Sequence, residues 1–368
     1  MQTSKSGWLR QRAIYAGLLI AVAALAIITE RAVAQKPHLN AARPQTIEIH
    51  ATPLTSFDRP GTSQKTFGRL EWRGGLVLSS PSPNFGGWSG LVLDPSGRRL
   101  LSVSDAGSWM TGEITYDNGR PTGIKNAKIS SIRALNGAPL TRTRDRDAES
   151  ITLADGTLET GMALIAFEGN MRIGRFPIKD GELKAPVEYL KKPAETRRMH
   201  HNASFESIGV LKAGRYKDSV IAIAERLTNP QGDHTGWIWT RGQPRPFYLS
   251  DVRGFDITDL ATLPDGNVIV LERRFRWTEG VKMRLRLLNG AELAPGARLE
   301  GETLLEADMG YEIDNMEGVA VHEGPRGETI ITVLSDNNFS SFIQRTVLLQ
   351  FALPRENTAS IEQPKRNR

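Results

Sequence analysis

The stretch Ser89-Gly-Leu-Val-Leu-Asp-Pro-Ser-Gly-Arg-Arg-Leu-Leu-Ser-Val-Ser-Asp105 contains two short apolar segments on either side of a Pro-Ser-Gly turn. Apolar and β-branched residues that flank such a turn are typical of a β-hairpin. The same plan, in which a Ser or an acid precedes the first segment and an acid follows the second, recurs along the chain. The five copies begin at Ser89, Glu149, Glu206, Asp259 and Glu317, at intervals of 53 to 60 residues. The sequence therefore predicts five equivalent hairpins.

Further strand patterns lie between the hairpins, for example residues 112–116 and 124–135 around an Asp117-Asn118-Gly119 turn. Each unit of about 55 residues then holds about four strands, and none contains a convincing amphipathic helix. Equal spacing favours a β-propeller over a sandwich, which would give many short strands without a fixed interval. We predict an all-β propeller of five countable four-stranded units, with five or six blades. The strand pattern at residues 67–79 is expected to complete the last unit, so that an N-terminal strand closes the ring.

The composition is that of a globular chain of 368 residues, with 47 Lys and Arg against 41 Asp and Glu. There is no cysteine, which excludes a disulfide scaffold, a thiolate metal site and a cysteine nucleophile. Four of the basic residues and one of the acids lie in the first 34 residues, so the remainder carries a net charge of only +3. This small excess gives no argument for nucleic-acid binding.

The N-terminal residues 1–34 have the pattern of a signal peptide. Basic residues precede an apolar stretch at residues 13–28, and Ala32-Val33-Ala34 offers a cleavage site before Gln35. The stretch is slightly short for a membrane-spanning helix, although an uncleaved anchor remains the alternative. Either reading places the protein in the periplasm or outside the cell. We expect a linker at 35–64, the propeller domain at 65–355 and a disordered tail at 356–368.

Each repeat places polar or acidic residues at both ends of its hairpin. Because the first residue of one strand and the last residue of the next are neighbours at one edge, these residues should pair. The pairs are Ser89/Asp105, Glu149/Glu168, Glu206/Glu225, Asp259/Glu272 and Glu317/Asp336. The innermost strands of a propeller line its central channel, so nine carboxylates are expected around one mouth.

A crowd of carboxylate oxygens without cysteine favours Ca²⁺, or another hard divalent cation, over zinc. The predicted metal ligands are Asp105, Glu149, Glu168, Glu206, Glu225, Asp259, Glu272, Glu317 and Asp336. For any one of these acids the alternative is that it caps the following turn through backbone N–H groups.

Basic and amide side chains follow the closing acids and could bind an anionic ligand. Arginine is suited to bidentate binding of phosphate or carboxylate oxygens, and internal pairing with the neighbouring acids is the alternative. The predicted ligand-binding residues are Arg172, Arg274, Asn170 and Asn337, and the predicted catalytic residues are Glu149, Glu206, Glu317, Arg226 and Arg273. Trp88, Trp109 and Trp277 also stand beside acid positions, and we expect them to pack between blades rather than to contact substrate.

Several catalytic motifs are missing. The stretch Gly87-Trp-Ser-Gly-Leu91 lacks the final glycine of a Gly-x-Ser-x-Gly elbow, which argues against an α/β-hydrolase serine. There is no His-Glu-x-x-His zinc motif, phosphate loop or dinucleotide fingerprint. The carboxylates and arginines are left as the candidate chemistry.

In these residues the chain resembles the bacterial phytase-like family, known as "esterase-like activity of phytase". The matching stretches are residues 85–91, 104–109, 147–150, 167–173, 205–207, 271–275, 315–318 and 335–339. Where the family motif commonly has Ala-Leu after Glu, this chain has Glu149-Ser-Ile and Glu206-Ser-Ile, which leaves the carboxylates intact. The resemblance implies a secreted or periplasmic β-propeller that hydrolyses phosphate or carboxylic esters.

The functional prediction is an exported, Ca²⁺-dependent phosphoester hydrolase that uses the carboxylate-lined mouth. We expect a small anionic ester as substrate, no nucleic acid, no membrane contact beyond the signal segment, and a monomer. The alternative is a non-catalytic periplasmic propeller that holds a ligand or partner at the same mouth. A carboxylesterase is a third option, weakened by the incomplete serine elbow.

Overall fold

The computed structural model describes residues 36–41, 43–198 and 205–354. The predicted signal peptide and the predicted C-terminal tail lie outside the described residues. The chain divides into two units, residues 1–37 and 38–368, and the strands below all belong to the second. In the described part of the chain no helix has the length and apolar character needed to span a bilayer.

The hairpin that opens the repeat forms where the sequence predicts it. Strands β5 (Trp88–Leu93) and β6 (Arg99–Ser104) pair antiparallel around a turn. Asp94 Oδ1 accepts hydrogen bonds from the backbone N–H groups of Arg98 and Arg99, and Gly97 takes a positive φ of 69°. An acid that binds the turn amides and a glycine in the left-handed region together define the tight reversal.

Five sheets form the blades, and in each blade the first strand named is the innermost. Blade I contains β5, β6, β7 (Ser108–Asp117), β8 (Arg120–Ser131) and β1 (Gln45–Thr46). Blade II contains β9 (Ala148–Gly156), β10 (Thr160–Phe167) and β11 (Arg172–Lys179), with β12 (Glu182–Leu183) and β13 (Glu188–Tyr189) both paired to β11. Blade III contains β14 (Phe205–Val210), β15 (Val220–Thr228), β16 (His234–Thr240), β17 (Gln243–Leu249) and the parallel strand β21 (Arg298–Leu299).

The last two blades follow the same plan. Blade IV contains β18 (Asp256–Thr262), β19 (Val268–Arg276), β20 (Gly280–Leu288) and β22 (Glu302–Ala307). Blade V contains β23 (Asn315–Glu323), β24 (Thr329–Asp336), β25 (Thr346–Leu353), β4 (Leu70–Ser79) and β2 (His50–Leu54), with β3 (Thr66–Phe67) paired to β4. The helices described are α1 (Thr143–Arg146) and a 3₁₀ turn at Ala194–Arg198.

The blades close into a ring. The innermost strands β5, β9, β14, β18 and β23 contact one another in that order, and β23 in turn contacts β5. In blade V the N-terminal strand β4 pairs with the C-terminal strand β25, with Val77 opposite Val347. The prediction of a β-propeller closed by an N-terminal strand is confirmed, and the number of blades is five. All innermost strands begin at the same end of the ring, which we call the mouth face.

The segment 35–64, predicted to be a linker, contributes two edge strands. Gln45 of β1 lies opposite Ile129 in blade I, and Ala51 of β2 lies opposite Leu78 in blade V. The linker prediction therefore does not hold for these residues. The polar sequence gave no strand signal, because an edge strand needs few apolar side chains. Strand β2 tolerates Pro53 because one of its sides has no partner strand among the described residues.

The core lies between neighbouring blades. Phe205 and Trp237 of blade III pack edge to face, with ring centroids 5.4 Å apart, in a cluster that includes Leu164 of blade II. Trp88 and Trp109 are buried, as predicted. The same prediction is wrong for Trp277, whose side chain is 93% exposed. Strand β19 continues past the mouth edge of its blade, so its end carries Trp277 out of the core.

Candidate functional site

Every innermost hairpin has a β-bulge at its mouth end. In blade II, Ala148 pairs with Phe167 and Ser150 pairs with Ala166, so Glu149 has no residue opposite it. The residues in this position are Ser89, Glu149, Glu206, Thr258 and Glu317, one in each blade. A bulge turns its extra side chain away from the regular alternation of the strand, so these five side chains are equivalent.

The position that closes each hairpin lies beside the bulge. The backbone N–H of Asp105 bonds to the carbonyl of Gly87, and that of Glu168 bonds to the carbonyl of Asp147. The equivalent residues are Asp105, Glu168, Glu225, Arg273 and Asp336. Four blades therefore present an acid at the closing position, and blade IV presents an arginine.

Acids of different blades lie close enough to affect the pKa of Glu149. Burial raises the pKa of Glu149 well above its usual value, and the carboxylates of Glu206, Asp147, Asp105 and Glu317 raise it further. These five acids come from blades I, II, III and V and from the loop that enters blade II. The structure thus gathers them around the channel opening.

The closest acids form two overlapping trios. The carboxylates of Asp147, Glu149 and Glu168 can place three oxygen atoms within 4.8 Å of one another, and those of Glu168, Glu206 and Glu225 can do the same. Glu168 belongs to both trios. Burial, followed by the charges of Glu225 and Glu168, raises the pKa of Glu206 well above its usual value.

Arg273 supplies positive charge among these acids. Its Nη1 lies 3.3 Å from Glu317 Oε1 and also donates a hydrogen bond to the side-chain oxygen of Asn315. Its Nη2 lies 3.8 Å from Glu225 Oε1, so one guanidinium faces acids of blades III and V. Asn315 Nδ2 donates to the same oxygen, Glu317 Oε1, at 2.7 Å, so Arg273, Asn315 and Glu317 contact one another.

Arg226 lies at the rim of the same cluster. Its Nη2 is 2.7 Å from Asp256 Oδ2 and 3.1 Å from Glu225 Oε1. Burial and the charge of Asp256 raise the pKa of Glu225, and the charges of Arg226 and Arg273 lower it. The net result is a pKa of about 7. A carboxyl group with such a pKa can hold or release a proton near neutral pH.

Two predicted metal ligands do not lie at the mouth. Asp259 is fully buried in the channel, where it accepts hydrogen bonds from Ser150 Oγ at 2.7 Å and from the backbone N–H of Val319 at 2.8 Å. Glu272 is also fully buried and is paired with Arg284 and Arg286 of β20. The bulge of blade IV falls at Thr258, one residue before the position that the repeat suggested. A shift of one residue sends strand side chains to the opposite face.

The predicted ligand-binding arginines serve the hairpin ends instead. Arg172 donates to the carbonyl oxygens of Asn170 and Asp145 and stacks over Phe167, with its guanidinium carbon 3.9 Å from the ring centroid. Arg274 Nη2 bonds to Glu279 Oε2 at 2.6 Å. Pairing with an acid, the alternative that the sequence left open, describes Arg274, whereas Arg172 is held by backbone carbonyls and an aromatic ring.

The predicted amide ligands and the last acid also take part in loop structure. Asn170 Nδ2 donates to Asp145 Oδ1 at 3.0 Å. Asp336 Oδ1 accepts from the backbone N–H of Asn338 at 2.7 Å, and Asn337 Oδ1 accepts from that of Phe339 at 3.1 Å. The contact of Asp336 is the turn cap that the sequence offered as the alternative for a single acid.

Asp147, Asn315 and Gly87 lie at the site but were not among the residues predicted from the sequence. Asp147 stands two residues before Glu149 in the sequence, but it precedes the strand and the bulge breaks the alternation, so no strand periodicity predicts it. Gly87 has φ of 67°, and a Cβ atom there would lie 2.2 Å from Asp105 Oδ1. Glycine at this position leaves room for the Asp105 carboxylate. No local sequence pattern predicts such a close approach.

A cavity of about 1120 Å³ opens at the other end of the channel. It is lined by the far ends of the innermost strands, including Leu93, Leu153, Thr262 and Val321. None of the mouth acids lines it. The carboxylate cluster and this cavity are therefore separate features of the channel.

Comparison with known proteins gives one family match. A family model described as "Phytase-like: Esterase-like activity of phytase" matches residues 83–339, a range that includes the bulge and closing residues of all five hairpins. No curated protein matches the chain. Among solved structures, the β-propeller domain of Cps50 (Swd1) from Myceliophteria thermophila matches with a TM-score of 0.37 and 8% identity, over 84% of this chain and 100% of that one.

Proposed function

The chain belongs to the phytase-like family, and from this premise and the geometry of the mouth we propose that it is an exported hydrolase of phosphoesters that depends on a divalent cation. The observation that carries the proposal is the pair of carboxylate trios that share Glu168, with Arg273 facing the same cluster. A cation held by these carboxylates, together with the guanidinium, would suit a substrate that is anionic.

The donor set fits a hard cation. Both trios contain only carboxylate oxygens, and burial with mutual repulsion raises the pKa values of Glu149 and Glu206. A cation removes that repulsion, and Ca²⁺ is the ion that accepts several carboxylates in flexible geometry. When bound, it would neutralise charge and act as a Lewis acid toward an ester oxygen.

The chain's own residues supply the remaining functions. Arg273, held between Glu225 and Glu317, is placed to bind the non-bridging oxygens of a phosphoryl group. Glu225, which belongs to a trio with Glu168 and Glu206, would hold the cation with them. Glu149 and Glu206 are assigned to the cation rather than to proton transfer.

The test is hydrolysis of p-nitrophenyl phosphate and phytate by the mature protein, with Ca²⁺ or with chelator. We expect turnover with Ca²⁺ that chelator removes, and loss of that turnover in Glu168→Gln. The matched control is Glu188→Gln, which alters an exposed acid of the same blade. Absence of turnover with every divalent cation, together with retention of an anionic ligand, would establish the binding propeller instead.

Assays with and without chelator also distinguish hydrolysis of carboxylic esters from hydrolysis of phosphoesters. Ser89 Oγ lies in the bulge of blade I, 3.4 Å from Glu317 Oε2. Hydrolysis of p-nitrophenyl acetate that ignores chelator and is lost in Ser89→Ala would assign the chemistry to this hydroxyl. Export is tested by mass spectrometry of the protein recovered from the periplasm or medium. We expect the recovered chain to begin at Gln35.

A further inference from the structure

Exposed apolar side chains are concentrated on the mouth face. Among the described residues, six of the seven large apolar side chains that are exposed lie in loops or strand ends on that side. These six are Leu135, Phe275, Trp277, Met309, Phe342 and Ile343. Exposed apolar side chains that stand singly are normal, whereas Phe275 and Trp277 contact each other and form one continuous apolar surface.

Phe275 and Trp277 are the pair nearest the charged cluster along the chain. Their ring centroids lie 5.3 Å apart with the planes at 72°, and Trp277 is 93% exposed while Phe275 is 52% exposed. Arg273 and Phe275 lie on the same face of β19, because alternate residues of a strand share a face. Two residues of strand span about 7 Å, so the backbone of Phe275 lies about that far from the backbone of Arg273, nearer the end of the strand.

The hairpin that carries the pair is firmly held. Strands β19 and β20 stay paired to Arg276 and Gly280 at its very end. Glu279 binds Arg274 Nη2 at 2.6 Å, Lys282 Nζ at 2.8 Å and Arg276 Nη1 at 3.3 Å. Aromatic rings are more stable when they are buried than when they are in water. The paired hairpin nevertheless holds these two rings in the solvent.

We propose that Phe275 and Trp277 form a platform for the aromatic group of the substrate while its phosphoryl end reaches Arg273, so that the preferred substrates are aryl phosphoesters. This inference rests on the proposed function, since it names the substrate class of the same mouth. The match is one of charge and shape: an apolar planar group lies against the rings, and the anionic end lies toward the guanidinium and the cation.

The experiment measures binding without turnover. Calorimetry compares phenylphosphonate with methylphosphonate on the Ca²⁺-loaded mature protein. We expect phenylphosphonate to bind about tenfold more tightly, a difference of about 1.4 kcal/mol that is in the range for stacking on an aromatic side chain. Trp277→Ala and Phe275→Ala should remove this preference and leave methylphosphonate binding unchanged. Phe342→Ala, a fully exposed aromatic on the same face, is the control and should keep the preference.

Kinetics give the second arm. In Trp277→Ala the KM for p-nitrophenyl phosphate should rise about tenfold, whereas the KM for glycerol 2-phosphate should not change. Equal affinities of the two phosphonates for the wild-type protein would overturn the inference even if phosphoesters are hydrolysed. A phenylphosphonate preference that depends on Trp277, without turnover of any ester, would keep the platform and reject the proposed hydrolase.

A membrane role is the outcome that would replace this one. If the wild-type protein binds phosphatidylglycerol vesicles, if Trp277→Ala and Phe342→Ala both abolish that binding, and if neither changes phosphonate affinity, then the exposed residues serve a lipid surface and the platform is rejected. Since Trp277 is 93% exposed, its replacement should not lower the melting temperature, and thermal unfolding checks this.

Discussion

Arg273 Nη1 lies 3.3 Å from Glu317 Oε1, so blade IV supplies a positive charge where the neighbouring blade supplies a negative one. The propeller repeat would place a fifth acid here. The guanidinium occupies that position instead, and it partly compensates acids that burial and mutual repulsion drive toward protonation.

Replacement of Arg273 should lower the rate of phosphoester hydrolysis. In Arg273→Gln we expect kcat/KM for p-nitrophenyl phosphate to fall about 100-fold, which is the order for loss of one charged group at developing negative charge. Arg273→Lys should recover part of it. Arg245→Gln, an exposed arginine of blade III, is the control. A value of kcat/KM equal to that of the wild type would remove Arg273 from the site.

Calcium should stabilise the protein through Glu168. A ligand that binds only the folded state at about 100 times its Kd raises the free energy of unfolding by about 2.7 kcal/mol. We therefore expect saturating Ca²⁺ to raise the melting temperature of the wild type by several degrees, and Glu168→Gln to lose most of that rise, because Glu168 belongs to both trios. If Glu168→Gln kept the full response, the cation would lie elsewhere.

The cation-free protein should lose stability as pH rises toward and past neutrality. The pKa of Glu225 increases from 4.5 to about 7 on folding, so between these values the folded state binds the proton more tightly than the unfolded chain. This stability is present below pH 4.5 and is lost as pH rises through 7, with a total of roughly 3 kcal/mol. Buried His234 and His322, with lowered pKa values, act in the opposite direction below about pH 6.5.

A matched variant isolates the carboxyl contribution. We expect urea unfolding between pH 5 and 8 to show that the wild type loses more stability than Glu225→Gln as pH increases, because the histidines contribute equally to both proteins. Saturating Ca²⁺ should reduce the difference. Parallel profiles for the two proteins would contradict the raised pKa.

Loss of the buried carboxylate Glu272 should destabilise the fold and leave calcium binding intact. Glu272 faces Arg284 and Arg286, all three being essentially inaccessible to solvent. Removal of one member of a buried ion pair costs about 3–5 kcal/mol, because the remaining charges lose their compensation. Chemical unfolding of Glu272→Gln measures this. A lost calcium response, with stability unchanged, would restore Glu272 to the predicted metal set.

Much of the architecture follows from local pattern. The interval of 53 to 60 residues, the turn residues and the strand pattern at residues 67–79 sufficed for the propeller and its closure. The meeting of Glu149, Glu206 and Glu317 at one end also followed, because equivalent positions of a closed ring must face a common axis. Each of these features is written in residues close together in the chain or repeated along it.

Tertiary structure decided the rest. The bulge at Thr258 depends on how blade IV packs in the ring, and its shift by one residue moved Asp259 and Glu272 away from the mouth and brought Arg273 into it. The side chains of a strand alternate between two faces, so an error of one position in register reverses every assignment that follows. The exposure of Trp277 also depends on tertiary structure, because composition reports that a residue is apolar, whereas only the packed strands determine whether anything covers it.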